Sequence, residues 1–208
     1  MTTAPNDQRA LIERSTELDE LRFEQLDLRK LSLAAKTFSR CTWTKVSLQE
    51  SDWRGALLEE CVFIDCDLSR ARLDGVRLRD VSFRRTRLMG VDWSGVGEFS
   101  EFDFDECDLQ FATFVGVSLR KLQCKASRVT EATFERCDLT QANFTGSDLR
   151  ASRFERCELG RADFSTASGA LIDPTKNKAK GTKISAESAA LLATSMGLIV
   201  TASRSSGR

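Results

Sequence analysis

The sequence predicts an all-β solenoid of the parallel β-helix type that ends in a short C-terminal α-helix. The first observation is a five-residue period, because every fifth residue from Leu18 to Trp93 is large and apolar. The second is that the residue two positions earlier is usually small or β-branched, as Cys137, Ala142 and Ser147 are in CDLTQANFTGSDL. A period of five fits neither a helix nor a flat strand. It suits a coil that turns a similar corner every five residues and stacks on itself.

The period has one interruption, in WSGVGEF, where the phase slips by one residue. The sequence predicts that the rhythm resumes at Phe99 and runs to Phe164, with Cys124 and Val129 as its smallest members. Each unit then turns two side chains inward and three polar or charged ones outward. Phe102 is a bulky exception at a small inward position. We therefore expect the solenoid over residues 16–166, preceded by an N-terminal segment, 1–15.

The end of the chain has a different composition. Residues 167–184 contain Gly, Pro and Lys and predict a loop, residues 185–200 predict a helix, and residues 201–208 form a tail. Ser185 is the expected N-cap and Gly197 the expected C-cap. The apolar residues expected to cap the last coil or form a dimer contact are Leu191, Leu192, Met196, Leu198 and Ile199. Capping with dimerisation and capping alone are both compatible with this pattern.

Composition argues against several functional classes. The 208 residues carry a formal net charge of zero, so no general attraction to nucleic acid or anionic membrane follows. The absence of His removes the commonest general base and the commonest neutral metal ligand. No nucleophile–base pair or phosphate loop is visible either. We expect a protein with no catalytic residues, no metal and no cofactor. No apolar run is long enough to span a membrane and no secretory signal is visible, so a cytoplasmic location is expected.

The seven cysteines are predicted to fill the core. Six occupy the small inward position, and Cys124 occupies a large one. A buried Cys behaves as a small hydrophobe, and the sequence has no CxxC motif that would indicate a metal site. Cys41 and Cys61 are twenty residues apart and occupy the same position of their five-residue units. A reducing compartment argues against a disulfide between them.

The sharpest surface feature is the stretch EFSEFDFDECD, which contains six acids and no base. We call these six residues the acidic band: Glu98, Glu101, Asp103, Asp105, Glu106 and Asp108. In one interpretation their charges are neutralised by Arg and Lys on adjacent coils, since opposite charges on neighbouring rungs attract. In the other they form an acidic patch that faces a partner. The sequence leaves both interpretations open.

The stretch CDLTQANFTGSDLRASRF closely follows the consensus A(D/N)LXX. On this pattern, residues 16–166 resemble the pentapeptide-repeat family. The C-terminal helix and the stretch LMGVDWS are similar to the Qnr, MfpA and albicidin-resistance type, whose members protect DNA gyrase. The resemblance implies a right-handed quadrilateral parallel β-helix with four pentapeptides per coil.

The resemblance also carries expectations about function. It implies a non-catalytic homodimer, joined through the C-terminal helix, that binds DNA gyrase or topoisomerase IV. It further implies DNA mimicry by the acidic band, protection from inhibitors such as fluoroquinolones, and no direct contact with nucleic acid. The alternative is a pentapeptide-repeat scaffold or interaction protein whose partner is unrelated.

Overall fold

The computed structural model describes residues 5–201, so the first four residues of the N-terminal segment and residues 202–208 of the predicted tail lie outside the described residues. The described chain is a parallel β-solenoid of about eight turns with a short C-terminal helix, which confirms the predicted fold class. An additional helix, α1 (Pro5–Arg14), occupies most of the expected N-terminal segment. Its Ile12 is fully buried and belongs to the core.

The strands are short because each coil turns a corner every five residues. In chain order they are β1 (Glu17–Asp19), β2 (Arg22–Glu24), β3 (Thr37–Ser39), β4 (Thr42–Thr44), β5 (Leu57–Glu59), β6 (Val62–Ile64), β7 (Arg77–Arg79), β8 (Val81–Arg84), β9 (Phe102–Asp105), β10 (Thr113–Val115), β11 (Cys124–Lys125), β12 (Thr133–Glu135), β13 (Arg153–Glu155), β14 (Asp163–Phe164) and β15 (Lys183–Ile184), followed by α2 (Ala186–Ser195).

Strands from successive coils pair in parallel. One sheet has the order β1-β3-β5-β7, the largest has the order β11-β9-β8-β6-β4-β2, a third is β10-β12-β13, and β14 pairs with β15. The usual register is twenty residues, as in Leu18 opposite Phe38 and Phe38 opposite Leu58. Backbone hydrogen bonds between coils, such as Thr37 N–H to Thr16 O at 2.8 Å, satisfy the main chain. The solenoid is therefore built from stacked, mutually hydrogen-bonded coils.

The core consists of side-chain columns that run along the solenoid. Phe114, Phe134 and Phe154 stack with ring centroids 4.7 Å apart and nearly parallel planes. Phe63 stacks on Phe83 at 5.0 Å. Each such contact adds about 0.5–1.5 kcal/mol to the effect of burial alone. Identical rings at the same position of successive coils thus stabilise the register.

The phase slip differs from the sequence prediction. Phe99, expected to resume the inward rhythm, is 87% exposed, and its backbone has φ +63°. Phe102, which the sequence places at a small inward position, is buried and stacks on Trp93, with centroids 5.0 Å apart. Across the slip the register is twenty-one residues, with Val81 opposite Phe102, and it returns to twenty on the next coil, with Phe104 opposite Cys124. The extra residue therefore lies in the segment that carries Phe99, and the Phe99 ring is left outside the core.

The segment 167–184, predicted as a loop, continues the solenoid in the structure. Ser168 pairs with Asp148 and Lys178 with Glu158, both in parallel. The buried Asn177 takes the small inward position, where its Oδ1 accepts from the backbone N–H of Cys157 at 3.0 Å. The other buried residues of this coil are Ala167, Ala170 and Ile172, so only one of its buried side chains is large and apolar, and no five-residue apolar period marks the coil in the sequence.

The C-terminal helix has the capping residues that its sequence predicts, shifted by one residue at the end. The Ser185 side chain accepts from the Ser188 N–H, which makes Ser185 the N-cap. Met196 is the C-cap, and Gly197 follows it with φ +85°. The N–H of Leu198 donates to Ala193 O, which completes a Schellman motif. Within residues 5–201, neither helix is long and apolar enough to cross a lipid bilayer.

All seven cysteines are buried and free of disulfides. Burial raises the pKa of the Cys66 and Cys107 thiols to about 11. Cys41 and Cys61 lie on successive coils, and each thiol donates to backbone carbonyl oxygens, Cys41 to that of Leu18 and Cys61 to that of Phe38. The cysteines therefore fill the core, as the sequence predicts.

Candidate functional site

The acidic band extends over more than one face of a single coil, from residue 98 to residue 108. Glu98 and Glu101 lie at the phase slip, Asp103 and Asp105 on β9, and Asp108 on the following face, where it bridges to the adjacent coils. All six side chains except that of Asp108 are exposed. Because no Lys or Arg occurs between residues 89 and 109, this coil is purely acidic.

Only one member of the acidic band forms an ion pair within residues 5–201. Asp108 accepts from the guanidinium of Arg128 on the next coil, with Nε 3.1 Å from Oδ1. Asp105 lies in register with Arg84 on one side and Lys125 on the other, as the sequence predicts. Neither cation comes within 4 Å of its carboxylate in the described part of the chain. Register therefore places opposite charges on neighbouring rungs without joining them in direct pairs.

The arginines of the preceding coil contact the coil before them. Arg79 binds Glu59 at 2.6 Å, and Arg85 binds Asp65 at 2.7 Å. Arg85 lies twenty-one residues before Glu106, yet its guanidinium is directed to Asp65 on the coil before it. The pKa of the Asp65 carboxyl is lowered chiefly by this hydrogen bond. The acidic band consequently keeps most of its charge free of direct ion pairs.

Asp103 has the most distinctive environment of the acidic band. Its carboxylate accepts from the backbone N–H of Gln123 at 2.7 Å. Partial burial raises its pKa, and this outweighs the lowering by the Gln123 hydrogen bond. Asp103 lines an open depression of about 280 Å³ together with Asp80, Glu101 and Lys121. A carboxylate that has lost part of its water gains more from an incoming cation than a fully solvated one.

The second predicted site is the apolar C-terminal surface, made of Leu191, Leu192, Met196, Leu198 and Ile199. Four of them are exposed, from 44% for Leu191 to 91% for Ile199, and Leu192 is half-buried. In α2 only Ser188 is buried. The helix therefore does not bury these side chains against the last coil, and its apolar surface faces solvent.

Among residues 5–201, no group of three or more Cys, Asp or Glu side chains is placed to hold a metal ion. The depressions on the described surface are open, and polar and charged side chains line several of them. The geometry that the chain does provide is a rigid rod with an acidic band and an apolar end.

Proteins of known fold share this architecture. The sequence model of the pentapeptide repeat region matches residues 36–97 and 97–164, which together make up more than half of the chain. No curated protein matches the sequence. Two solved structures of trypsin-treated variants of QnrB1, described as a plasmid-mediated fluoroquinolone resistance protein, are 21% and 20% identical, with TM-scores of 0.62 and 0.59. Each match covers 89% of this chain and 90% of that one.

A further solved structure is HetL, a pentapeptide repeat protein involved in heterocyst differentiation regulation from the cyanobacterium Nostoc. It is 17% identical, and the match covers 88% of this chain and 95% of that one with a TM-score of 0.45. At these identities, similarity to solved structures describes the fold.

Proposed function

This chain belongs to the pentapeptide-repeat family, and from that premise we propose that it binds DNA gyrase or topoisomerase IV in the cytoplasm and protects the enzyme from inhibitors such as fluoroquinolones. It would act without catalysis and without binding nucleic acid itself. The observation that carries the proposal is the acidic band, in which five of six carboxylates lack a direct ion pair among the described residues.

The physical basis of binding is charge complementarity. A type II topoisomerase holds duplex DNA on a basic surface, and a rigid array of carboxylates can occupy the same surface. The acids are fixed by a hydrogen-bonded coil, so little conformational freedom is lost on binding. Asp103, Asp105 and Glu106 follow one another on the largest sheet and its corner, where they form the densest part of the acidic band.

The apolar C-terminal surface supports a homodimer as the active form. Exposed Leu191, Met196, Leu198 and Ile199 lie together at one end of the rod. An isologous contact between two such ends would remove them from water and double the length of the rod. The acidic band would then be present twice, at equal distances from the two-fold axis.

A second candidate function is a scaffold for an unrelated protein partner. The observation that favours it is the charge order along the rod, because basic coils flank the acidic one. Arg77 and Arg84 precede the acidic band, and Lys121 and Lys125 follow it. A duplex DNA presents phosphates without such interruptions. This candidate predicts binding to a partner with a matching alternation of charge, and no effect on supercoiling.

The test is a gyrase supercoiling assay with the full chain, with and without ciprofloxacin. The proposal predicts that the wild-type protein restores supercoiling in the presence of the drug. Replacing Asp103, Asp105 and Glu106 by Lys should abolish this rescue, because the substitutions reverse the densest part of the acidic band. Circular dichroism and thermal melting of the variant establish that the solenoid is intact.

A matched control separates the acidic band from net charge. Glu17, Glu24 and Glu155 are exposed acids outside the acidic band with no ion pair in the described chain. Their joint replacement by Lys changes the net charge equally and should leave rescue unchanged. Rescue that survives the substitutions in the acidic band would place the binding surface elsewhere. The absence of any effect of the wild-type protein on gyrase and topoisomerase IV would favour the scaffold.

A further inference from the structure

The phase slip forms a short rigid projection, residues 97–101, which we call the knuckle. Its ends are tied to the preceding coil by backbone bonds from Gly97 N–H to Val76 O at 2.7 Å and from Glu101 N–H to Leu78 O at 2.8 Å. Between them, the Ser100 hydroxyl accepts from the Leu78 N–H at 3.3 Å and donates to Gly97 O at 2.8 Å. The knuckle is therefore held in one conformation before any partner arrives.

Phe99 stands at the tip of the knuckle. At 87% exposure it is the most exposed aromatic side chain of residues 5–201, and Phe111 follows at 49%. At the regular corners of the solenoid, one residue in five has a positive φ. The five-residue rhythm places such residues at Gly95 and Glu101, but neither has a positive φ. Phe99 has the positive φ instead, so the corner lies at Phe99. The chain thus holds a large apolar ring in water although Phe102 already fills the core. The φ of +63° at Phe99 is a value found at the regular corners of the solenoid, so what distinguishes Phe99 is the irregular position of its corner and the exposure of its ring.

Two open depressions lie beside the Phe99 ring. One, of about 470 Å³, extends over earlier coils and is lined by Arg40, Arg79 and Asp80 among others. The other, of about 420 Å³, extends toward the next coil and is lined by residues 116–118. Both arginines already form ion pairs with carboxylates of the coils before them, Arg40 with Asp19 and Arg79 with Glu59. The ring therefore projects between two concave surfaces into which a partner surface can fit on both sides.

The charge around the knuckle defines the partner further. Glu98 and Glu101 flank Phe99, and neither has an ion pair in the described chain. No Lys or Arg occurs on the same coil. A complementary surface has an apolar pocket for the ring and basic side chains around its rim.

We infer that Phe99 is an aromatic anchor of the partner interface, inserting into an apolar pocket whose rim carries Lys or Arg side chains that meet Glu98 and Glu101. This inference rests on the proposed function, in which the partner is gyrase or topoisomerase IV. It adds an apolar contact to an interface otherwise described by charge. The ring supplies affinity because its burial is favourable and its conformation is fixed beforehand.

The experiment measures binding of the full chain to immobilised gyrase and topoisomerase IV by surface plasmon resonance. Phe99→Ala is compared with Phe111→Ala, a matched control with an exposed ring and φ +61° on the following face of the solenoid. If Phe99 is an anchor, Phe99→Ala should raise the Kd for gyrase or topoisomerase IV about tenfold or more. Phe111→Ala should leave the Kd within about twofold of wild type. The thermal melting of both variants should match wild type, because neither ring belongs to the core.

The outcomes separate the two proposals. If the wild type binds and Phe99→Ala binds equally well, the anchor is overturned while the proposed function stands. If both Phe variants weaken binding equally, the effect is general surface hydrophobicity, and the anchor is also overturned. If the wild type binds neither enzyme, the proposed function fails and the anchor fails with it. Selective loss with Phe99→Ala supports the anchor.

Discussion

The two Phe residues at the phase slip provide a sharp test of the structure, because the five-residue rhythm places both rings inside the solenoid whereas the observed fold buries only Phe102. The rhythm that resumes after the slip makes Phe99 a core residue and puts Phe102 at a small inward position. In the structure Phe102 is 7% exposed and Phe99 is 87% exposed. We expect Phe102→Ala to destabilise the protein strongly and Phe99→Ala to leave its stability unchanged.

The magnitude follows from the contacts of each ring. Phe102 stacks on Trp93 at 5.0 Å and meets Phe104 edge-on at 5.5 Å. Truncating a buried Phe to Ala costs about 3–5 kcal/mol, including its lost ring contacts. We expect about 3 kcal/mol for Phe102→Ala, since the depression beside it lets water reach the vacated space. Phe99→Ala should stay within about 0.5 kcal/mol of wild type, as exposed substitutions usually do.

The assay is equilibrium unfolding in guanidinium chloride, followed by circular dichroism. The free energies of unfolding of the two variants are compared with that of wild type under identical conditions, with the slope m checked for constancy. A cost above about 2 kcal/mol for Phe99→Ala, or one below about 1 kcal/mol for Phe102→Ala, would refute the observed positions of the two rings.

Three further predictions follow from the described residues. Replacing Leu191 and Met196 by Glu should turn a dimer into a monomer in analytical ultracentrifugation while the circular dichroism spectrum is kept; a monomeric wild type would contradict the proposed dimer. The hydroxyl and backbone N–H of Ser165 both donate to the Asp163 carboxylate, and together with the Lys183 ammonium they lower the pKa of Asp163 to about 2. Because the folded pKa lies below the unfolded value, this stabilisation is present above about pH 4 and is lost as the pH falls toward 2. Asp163→Asn should therefore flatten the decline of Tm over that range, and an unchanged decline would contradict the assignment. All seven cysteines are buried, so Ellman's reagent should label none in the native protein at pH 8 and all in denaturant, and rapid labelling of any native thiol would contradict this burial.

Much of the fold can be predicted from the sequence because its signal repeats in every unit. An inward residue every fifth position is a local pattern, and the stacking of coils repeats it along the chain. The helix α1 has no comparable signal, since Ile12 and Gln8 are its only buried residues among those whose burial is described. The five-residue apolar pattern does not predict the final coil, because one of its inward positions is taken by Asn177. The Asn177 side chain is held there by hydrogen bonds to the backbone of Cys157 and Phe154.

The residues of the acidic band can be predicted from the sequence, but their ion-pair partners cannot. The acidic band is visible as six acids without a base. Which cation meets which carboxylate depends on side-chain direction, and Arg85 reaches Asp65 on the coil before it. Phe99 and Phe102 differ by three positions, and the segment between them is held by the Ser100 hydroxyl, which bonds to the Leu78 N–H and to Gly97 O. Ion-pair partners and the burial of one Phe over another depend on three-dimensional packing, and a repeat pattern in the sequence does not specify that packing.

The most direct test of the central claim is a competition between this protein and duplex DNA for gyrase. A fluorescently labelled duplex is bound to the enzyme, the protein is added, and fluorescence anisotropy reports the displaced DNA. We predict that the anisotropy falls to the value of free DNA with the wild-type chain. With Asp103, Asp105 and Glu106 replaced by Lys, it should not fall. An anisotropy that stays constant at saturating wild-type protein would contradict binding of the acidic band at the DNA surface of the enzyme.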